Sequence, residues 1–154
     1  MYRDVVLDHY RSPRGRAPVA DPDVENQGVN PLCGDEVQVA VKLDGAVLKA
    51  LHVHGRGCSI STASGSMMAE LLKGKSKREA ELLVEAFTRM MRGEGWPDGL
   101  EQGDLDALEG VRKFPVRVKC ALLPWTTLAD ALAALETGRR APPAPTTTDA
   151  GEGP

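Results

Sequence analysis

The clearest regularity along the chain is a two-residue alternation. Val37, Val39, Val41 and Leu43 fall on one face, and Gln38, Ala40 and Lys42 on the other. That predicts a half-buried strand over residues 36–43. Asp44-Gly45 follows as a two-residue hairpin signal, because both turn positions favour positive φ. Residues 46–53 then return as a second strand, with Val47, Leu51 and Val53 sharing a face. A short third strand is expected to end at Gly57.

Elsewhere the period is helical. Val5, Val6, His9 and Tyr10 predict a helix over residues 2–10, stopped by Pro13 and Gly15. Residues 11–32, rich in Pro, Gly, Asp and Asn, read as a long irregular approach that wraps a site rather than the core. From Ser59 a run of small residues leads into Met67, Met68, Leu71 and Leu72, a helix ended by Gly74 in a C-cap position. Ser76 and Glu79 form a capping-box pattern. The helix they open carries Leu82, Leu83, Ala86, Phe87, Met90 and Met91 and ends at Gly93. Residues 93–103 are turn-rich, 104–108 a short acidic helix, and 114–119 an extended lead to Cys120. A last helix carries Leu128, Ala131, Leu132 and Leu135. After about Arg140 the chain is Pro, Ala, Thr, Gly and acid, with nothing to bury, so 1–138 reads as one domain and 139–154 as a disordered tail. The predicted class is α+β: a small three-stranded antiparallel sheet with helices packed on one face.

A chain of 154 residues can bury a core without disulfides. Only 4% of it is aromatic, so that core must be built from Val, Leu, Ala and Met. The net charge of −3 argues against a general nucleic-acid binder. Arg11, Arg14 and Arg16, and Lys73, Lys75, Lys77 and Arg78, are local exceptions: a solvated face, or a docking patch for an acidic partner. No apolar run approaches the length of a membrane span. The first residues show no export pattern, and the three cysteines are odd in number, so a cytoplasmic protein with free or metal-bound thiols is expected.

Those cysteines define the candidate chemistry. Cys33 with Asp35, Cys58 and Cys120 each lie where a loop or strand end meets a turn or helix start. Glycines flank the first two, and a helix start beneath Cys58 and Cys120 would favour thiolate over thiol. Three sulfurs and one carboxylate can complete a zinc site or hold an iron–sulfur cluster, and the harder carboxylate makes such a site exchangeable. Three merely buried cysteines are the bland alternative. His52 and His54 share a strand face and are better read as exposed strand residues than as ligands. Gly74-Lys75-Ser76 lacks the upstream glycine and strand of a phosphate loop. No nucleophile elbow or His-Glu-x-x-His pair appears.

In order along the chain, His9-Tyr10-Arg11-Ser12-Pro13-Arg14, Asn30-Pro31-Leu32-Cys33-Gly34-Asp35, Gly57-Cys58-Ser59-Ile60-Ser61 and Lys119-Cys120 resemble the IscU/NifU-N family of iron–sulfur cluster scaffolds. The insert at 93–113, and a lysine before the third cysteine, are closest to its SufU branch. The resemblance covers residues 1 to about 138. It implies that Cys33, Asp35, Cys58 and Cys120 bind zinc or a nascent 2Fe–2S or 4Fe–4S cluster, and that Cys33 accepts persulfide sulfur from a cysteine desulfurase. It also implies downstream assembly or acceptor proteins as partners, no nucleic acid or membrane, and a scaffold or zinc-dependent sulfur relay rather than a true enzyme. Arg117 would assist docking or exchange. Pro124 and the acidic tail depart from the family pattern. The rival from another class is a small domain with a purely structural zinc.

Overall fold

The computed structural model describes residues 2–147. The order is α1 (Tyr2–Arg11), β1 (Val24–Asn30), β2 (Asp35–Asp44), β3 (Val47–Arg56), α2 (Ser59–Leu72), α3 (Lys77–Met91), a 3-10 segment (Gly103–Lys113), α4 (Pro115–Glu136) and β4 (Thr146–Thr147). The sheet runs β3-β2-β1-β4, with the first three strands antiparallel and β4 parallel to β1. The class is α+β as predicted, but the sheet is four-stranded and mixed.

The short third strand expected to end at Gly57 is the end of β3, which runs unbroken to Arg56, and the two strands not expected, β1 and β4, come from segments that read as irregular. β1 lies inside the supposed approach at 11–32. Its inward positions are Val24, Asn26, Gly28 and Asn30, so no apolar alternation announces it. Pairing with β2 satisfies its backbone, and α4 packs so closely that a Cβ on Gly28 would stand 2.0 Å from Thr127 Oγ1. β4 lies in the supposed disordered tail. Thr146 is buried there, and its hydroxyl donates to Asp130 and accepts from Asn26 Nδ2 at 2.8 Å. Residues 148–154 of that tail lie outside the described residues.

The β2–β3 hairpin turns at Gly45-Ala46, one position later than the signal, with Asp44 paired to Val47. The Lys42/Leu43 bulge shifts the side-chain parity of β3. Leu48 therefore faces the core at 0% exposure, and Val47, expected inward, is 40% exposed.

α2 and α4 lie on the sheet and clasp each other. Ser64 Oγ donates to the Ala121 carbonyl at 2.6 Å and accepts from Trp125 Nε1 at 3.0 Å. Trp125 stacks on Phe87 of α3 at 4.6 Å between ring centroids. The capping box of Ser76 and Glu79 is present. α4 is the largest revision. Pro115 at its first turn is preorganised for helix, so 114–119 is not an extended lead. Pro124 sits inside the helix, which runs through it. At 22 residues α4 is long and apolar enough to cross a membrane by length and composition, contrary to expectation. Its packing on β1, β2 and α2 makes it the core helix of this fold.

Candidate metal centre

Asn30 and Asp35 are cross-strand partners, and Pro31-Leu32-Cys33-Gly34 is the loop between them. The Asn30 carbonyl accepts from the amides of Cys33 (3.3 Å) and Gly34 (2.8 Å), while Asn30 Oδ1 accepts from the Leu32 amide at 3.2 Å. Gly34 takes φ +76, which a side chain there would resist. Cys33 is thereby held exposed at a hairpin tip. Asp35, at the first position of β2, turns inward at 3% exposure.

Cys58 is the N-cap of α2, and its sulfur accepts from the Ser61 amide at 3.5 Å. Its own amide donates to Asp35 Oδ1 at 3.0 Å, and Asp35 Oδ2 lies 3.5 Å from its sulfur. Gly57 makes this approach possible, since a Cβ there would stand 2.4 Å from Ser61 Oγ and 2.9 Å from Asp35 Oδ1. Cys120 is buried in the second turn of α4, not at the helix start expected of it. Its sulfur is 3.6 Å from that of Cys33.

Three segments far apart in sequence thus meet. The ligand atoms of Cys33, Asp35 and Cys120 lie within 4.8 Å of one another, and Cys58 joins from the Asp35 side. Zinc about 2.3 Å from sulfur and about 2.0 Å from oxygen, in tetrahedral geometry, has S···S edges of about 3.8 Å and S···O edges of about 3.5 Å. The two contacts at 3.6 Å and 3.5 Å fit such edges.

The thiols share protons unequally. The Cys120 thiol's hydrogen bond to Cys58 brings Cys58 down from 9.0 to about 6. That same bond, together with burial, pushes Cys120 well above an ordinary thiol. Cys58, at the N-terminus of α2, is therefore more readily ionised than an ordinary thiol.

His52 and His54 are not brought to this cluster: His52 Nδ1 meets the Ala17 carbonyl at 3.0 Å. A second group, His9, Glu70 and Asp104, could geometrically hold an ion. Arg14 already serves it, 3.2 Å from Glu70 and 2.9 Å from Asp8. The fully buried His9 bonds Ser66 at 2.7 Å and Asp104 at 2.9 Å. This network ties α1 and α2 to the 3-10 segment. Lys75 and Lys77 are likewise paired, with Glu101 and Glu136, so the basic runs are partly spent inside the fold. Arg117 is exposed on the first turn of α4, beside a hollow lined by Val6, Ile60, Val111 and Phe114. Asn30 and Ser61, both at the site, were legible only as parts of motifs.

The family described as NifU-like N terminal domain matches residues 1–121. The chain is 42% identical over 138 residues to the zinc-dependent sulfurtransferase SufU of Bacillus subtilis, covering 90% of this chain and 93% of that protein. It is 36% identical over 132 residues to the iron–sulfur cluster assembly scaffold protein IscU of Thermotoga maritima, covering 86% and 92%. The crystal structure of a putative SUF-system scaffold from Fervidobacterium islandicum superposes with a TM-score of 0.79 at 32% identity, covering 84% of this chain and 94% of the other. Matched over most of its length in sequence and in fold, the chain belongs to the NifU-like N-terminal domain family.

Proposed function

We propose that this protein serves iron–sulfur cluster assembly: it accepts persulfide sulfur from a cysteine desulfurase at Cys33 and holds zinc or a nascent cluster through Cys33, Asp35, Cys58 and Cys120. The observation that carries this is the convergence of those four side chains, with sulfurs 3.6 Å apart at Cys33 and Cys120 and the Asp35 carboxylate 3.5 Å from Cys58. The relatives named as a zinc-dependent sulfurtransferase and as cluster scaffolds support it.

The roles follow from exposure. Cys33 is the exposed thiol, on a loop that projects from the sheet, and is the one a partner's persulfide can reach. Its thiolate attacks the outer sulfur of the donor persulfide. The donor's S–S bond breaks, a new S–S bond forms on Cys33, and the donor cysteine leaves as a thiolate. Cys58 and Cys120, recessed beside it, are placed to hold an ion next to the delivered sulfur. Zinc, when bound, would keep the thiolates deprotonated against protonation at neutral pH. Asp35 contributes an oxygen that exchanges more readily than sulfur. The exposed apolar side chains Leu32, Phe114 and Val116 give the desulfurase a surface to dock on, with Arg117 beside them. The protein acts as acceptor and scaffold, in the cytoplasm, with downstream assembly proteins taking its cargo.

Metal and sulfide analysis of protein purified with and without air tests this. Zinc or iron at one site per chain, lost when Cys58 or Cys120 is replaced by serine, is expected. A purely structural zinc would instead make the fold collapse on chelation. The buried apolar cluster is continuous without Cys33, Asp35 or Cys58, which favours a fold that survives chelation.

A further inference from the structure

Asn30 Nδ2 is buried without a hydrogen-bond partner, alone in this among the described residues. An orphaned buried amide is costly enough to call for a reason. The contrast with Asn26 is direct, because both residues face inward from β1. The Asn26 amide donates to the Thr127 carbonyl at 2.9 Å and to Thr146 Oγ1 at 2.8 Å. The Asn30 amide donates to nothing, while its Oδ1 is used in the loop.

Its position follows from the packing of α4 on β1. Asn26 meets Thr127, and Gly28 faces Thr127 and Leu123, so α4 runs back along β1 by about one helical turn for every two strand residues. One further step brings Asn30 to the turn of α4 between Leu123 and Cys120, and a carboxylate oxygen of its cross-strand partner Asp35 lies within 4.8 Å of the Cys120 sulfur. The cross-strand pairing with Asp35 puts Asn30 on the same sheet face as that carboxylate. The 3.6 Å Cys33–Cys120 contact joins Cys120 to the loop that Asn30 anchors.

We propose that Asn30 is a positioning residue of the centre, whose Nδ2–H donates to the Cys120 sulfur once that sulfur is a metal-bound thiolate. Donors to ligand sulfurs fix their orientation and temper their charge. In this chain Asn30 does so from a strand, while its Oδ1 and carbonyl shape the loop bearing Cys33. One residue then links the buried sulfur to the exposed one. The proposal rests on the ligand set proposed above.

The direct test uses the natural chain loaded with 113Cd. Proton–cadmium correlation spectra are expected to show the Asn30 side-chain amide coupled to the metal through sulfur, and the signal should vanish in Asn30→Leu. Zinc affinity of Asn30→Leu, measured against a chromophoric chelator, should fall about tenfold. With cobalt bound, its sulfur-to-metal absorption band should move to longer wavelength, which a loop-shaping role alone would not cause. Cadmium bound by the three cysteines with no coupling to Asn30 overturns this proposal and leaves the ligand set standing. Failure to bind cadmium at those cysteines overturns both. If Asn30→Leu does not fold, the spectrum of the natural chain decides.

Discussion

Asp35 holds Cys58 twice: one carboxylate oxygen takes the Cys58 amide at 3.0 Å, and the other stands 3.5 Å from its sulfur. The carboxylate is thus both a brace for the start of α2 and an oxygen offered to the cluster. Replacing Asp35 with Ala removes both roles. Melting of the metal-free protein should fall by about 1.5–3 kcal/mol, the scale of a charge-assisted hydrogen bond. Zinc release, followed by chelator absorbance, should slow because the exchangeable ligand is gone. Release at the wild-type rate would remove Asp35 from the exchange step.

Gly57 tests the packing behind that brace. Gly57→Ala brings a Cβ to 2.9 Å from Asp35 Oδ1 and 2.4 Å from Ser61 Oγ, so the carboxylate must move. Zinc affinity is expected to fall about tenfold while circular dichroism is unchanged. Wild-type affinity, measured by competition, would mean that Asp35 is free to sit elsewhere.

The thiols give a pH signature. In metal-free protein, alkylation of Cys58 should be half-maximal near pH 6. Cys120, held protonated, should resist alkylation well above the usual thiol range. Folded Cys58 ionises before its unfolded counterpart at 9.0, so its share of stability grows from about pH 6 to pH 9 and is lost as pH falls through 6. Cys120 has the opposite sign: above pH 9 the unfolded chain gives up a proton that the fold retains, and stability declines. Mass spectrometry of labelled peptides, with urea melts across pH, reads both.

The candidate site was legible in the sequence through Cys33 and Cys58, each beside a glycine, and through Asp35 two residues from Cys33, while Cys120 has no such neighbour. The strands β2 and β3 were legible through their valine alternation. β1 was not, because Asn26, Gly28 and Asn30 occupy its inward positions and are satisfied by α4, which only the fold supplies. The start of α4 reads as extended in the sequence because Val116 and Val118 alternate as in a strand, whereas Pro115 opens a helix there. The parity of β3 turned on a bulge that leaves no mark in composition.

The tail is testable by truncation. A chain ending at Gly138 loses Thr146 and its bonds to Asn26 and Asp130, which uncovers the β1 edge. It should fold, bind zinc as the full chain does, and melt at a lower temperature, by about 1–2 kcal/mol in stability. Loss of zinc binding would place the tail within the centre.

The most direct measurement is sulfur transfer itself. The zinc-loaded chain is incubated with a cysteine desulfurase and 35S-cysteine, and its peptides are mapped by mass spectrometry without reductant. One added sulfur on the Cys33 peptide is expected, absent from a Cys33→Ser variant whose circular dichroism is unchanged. Label on that variant, at Cys58 or Cys120, would contradict the assignment of Cys33 as the acceptor.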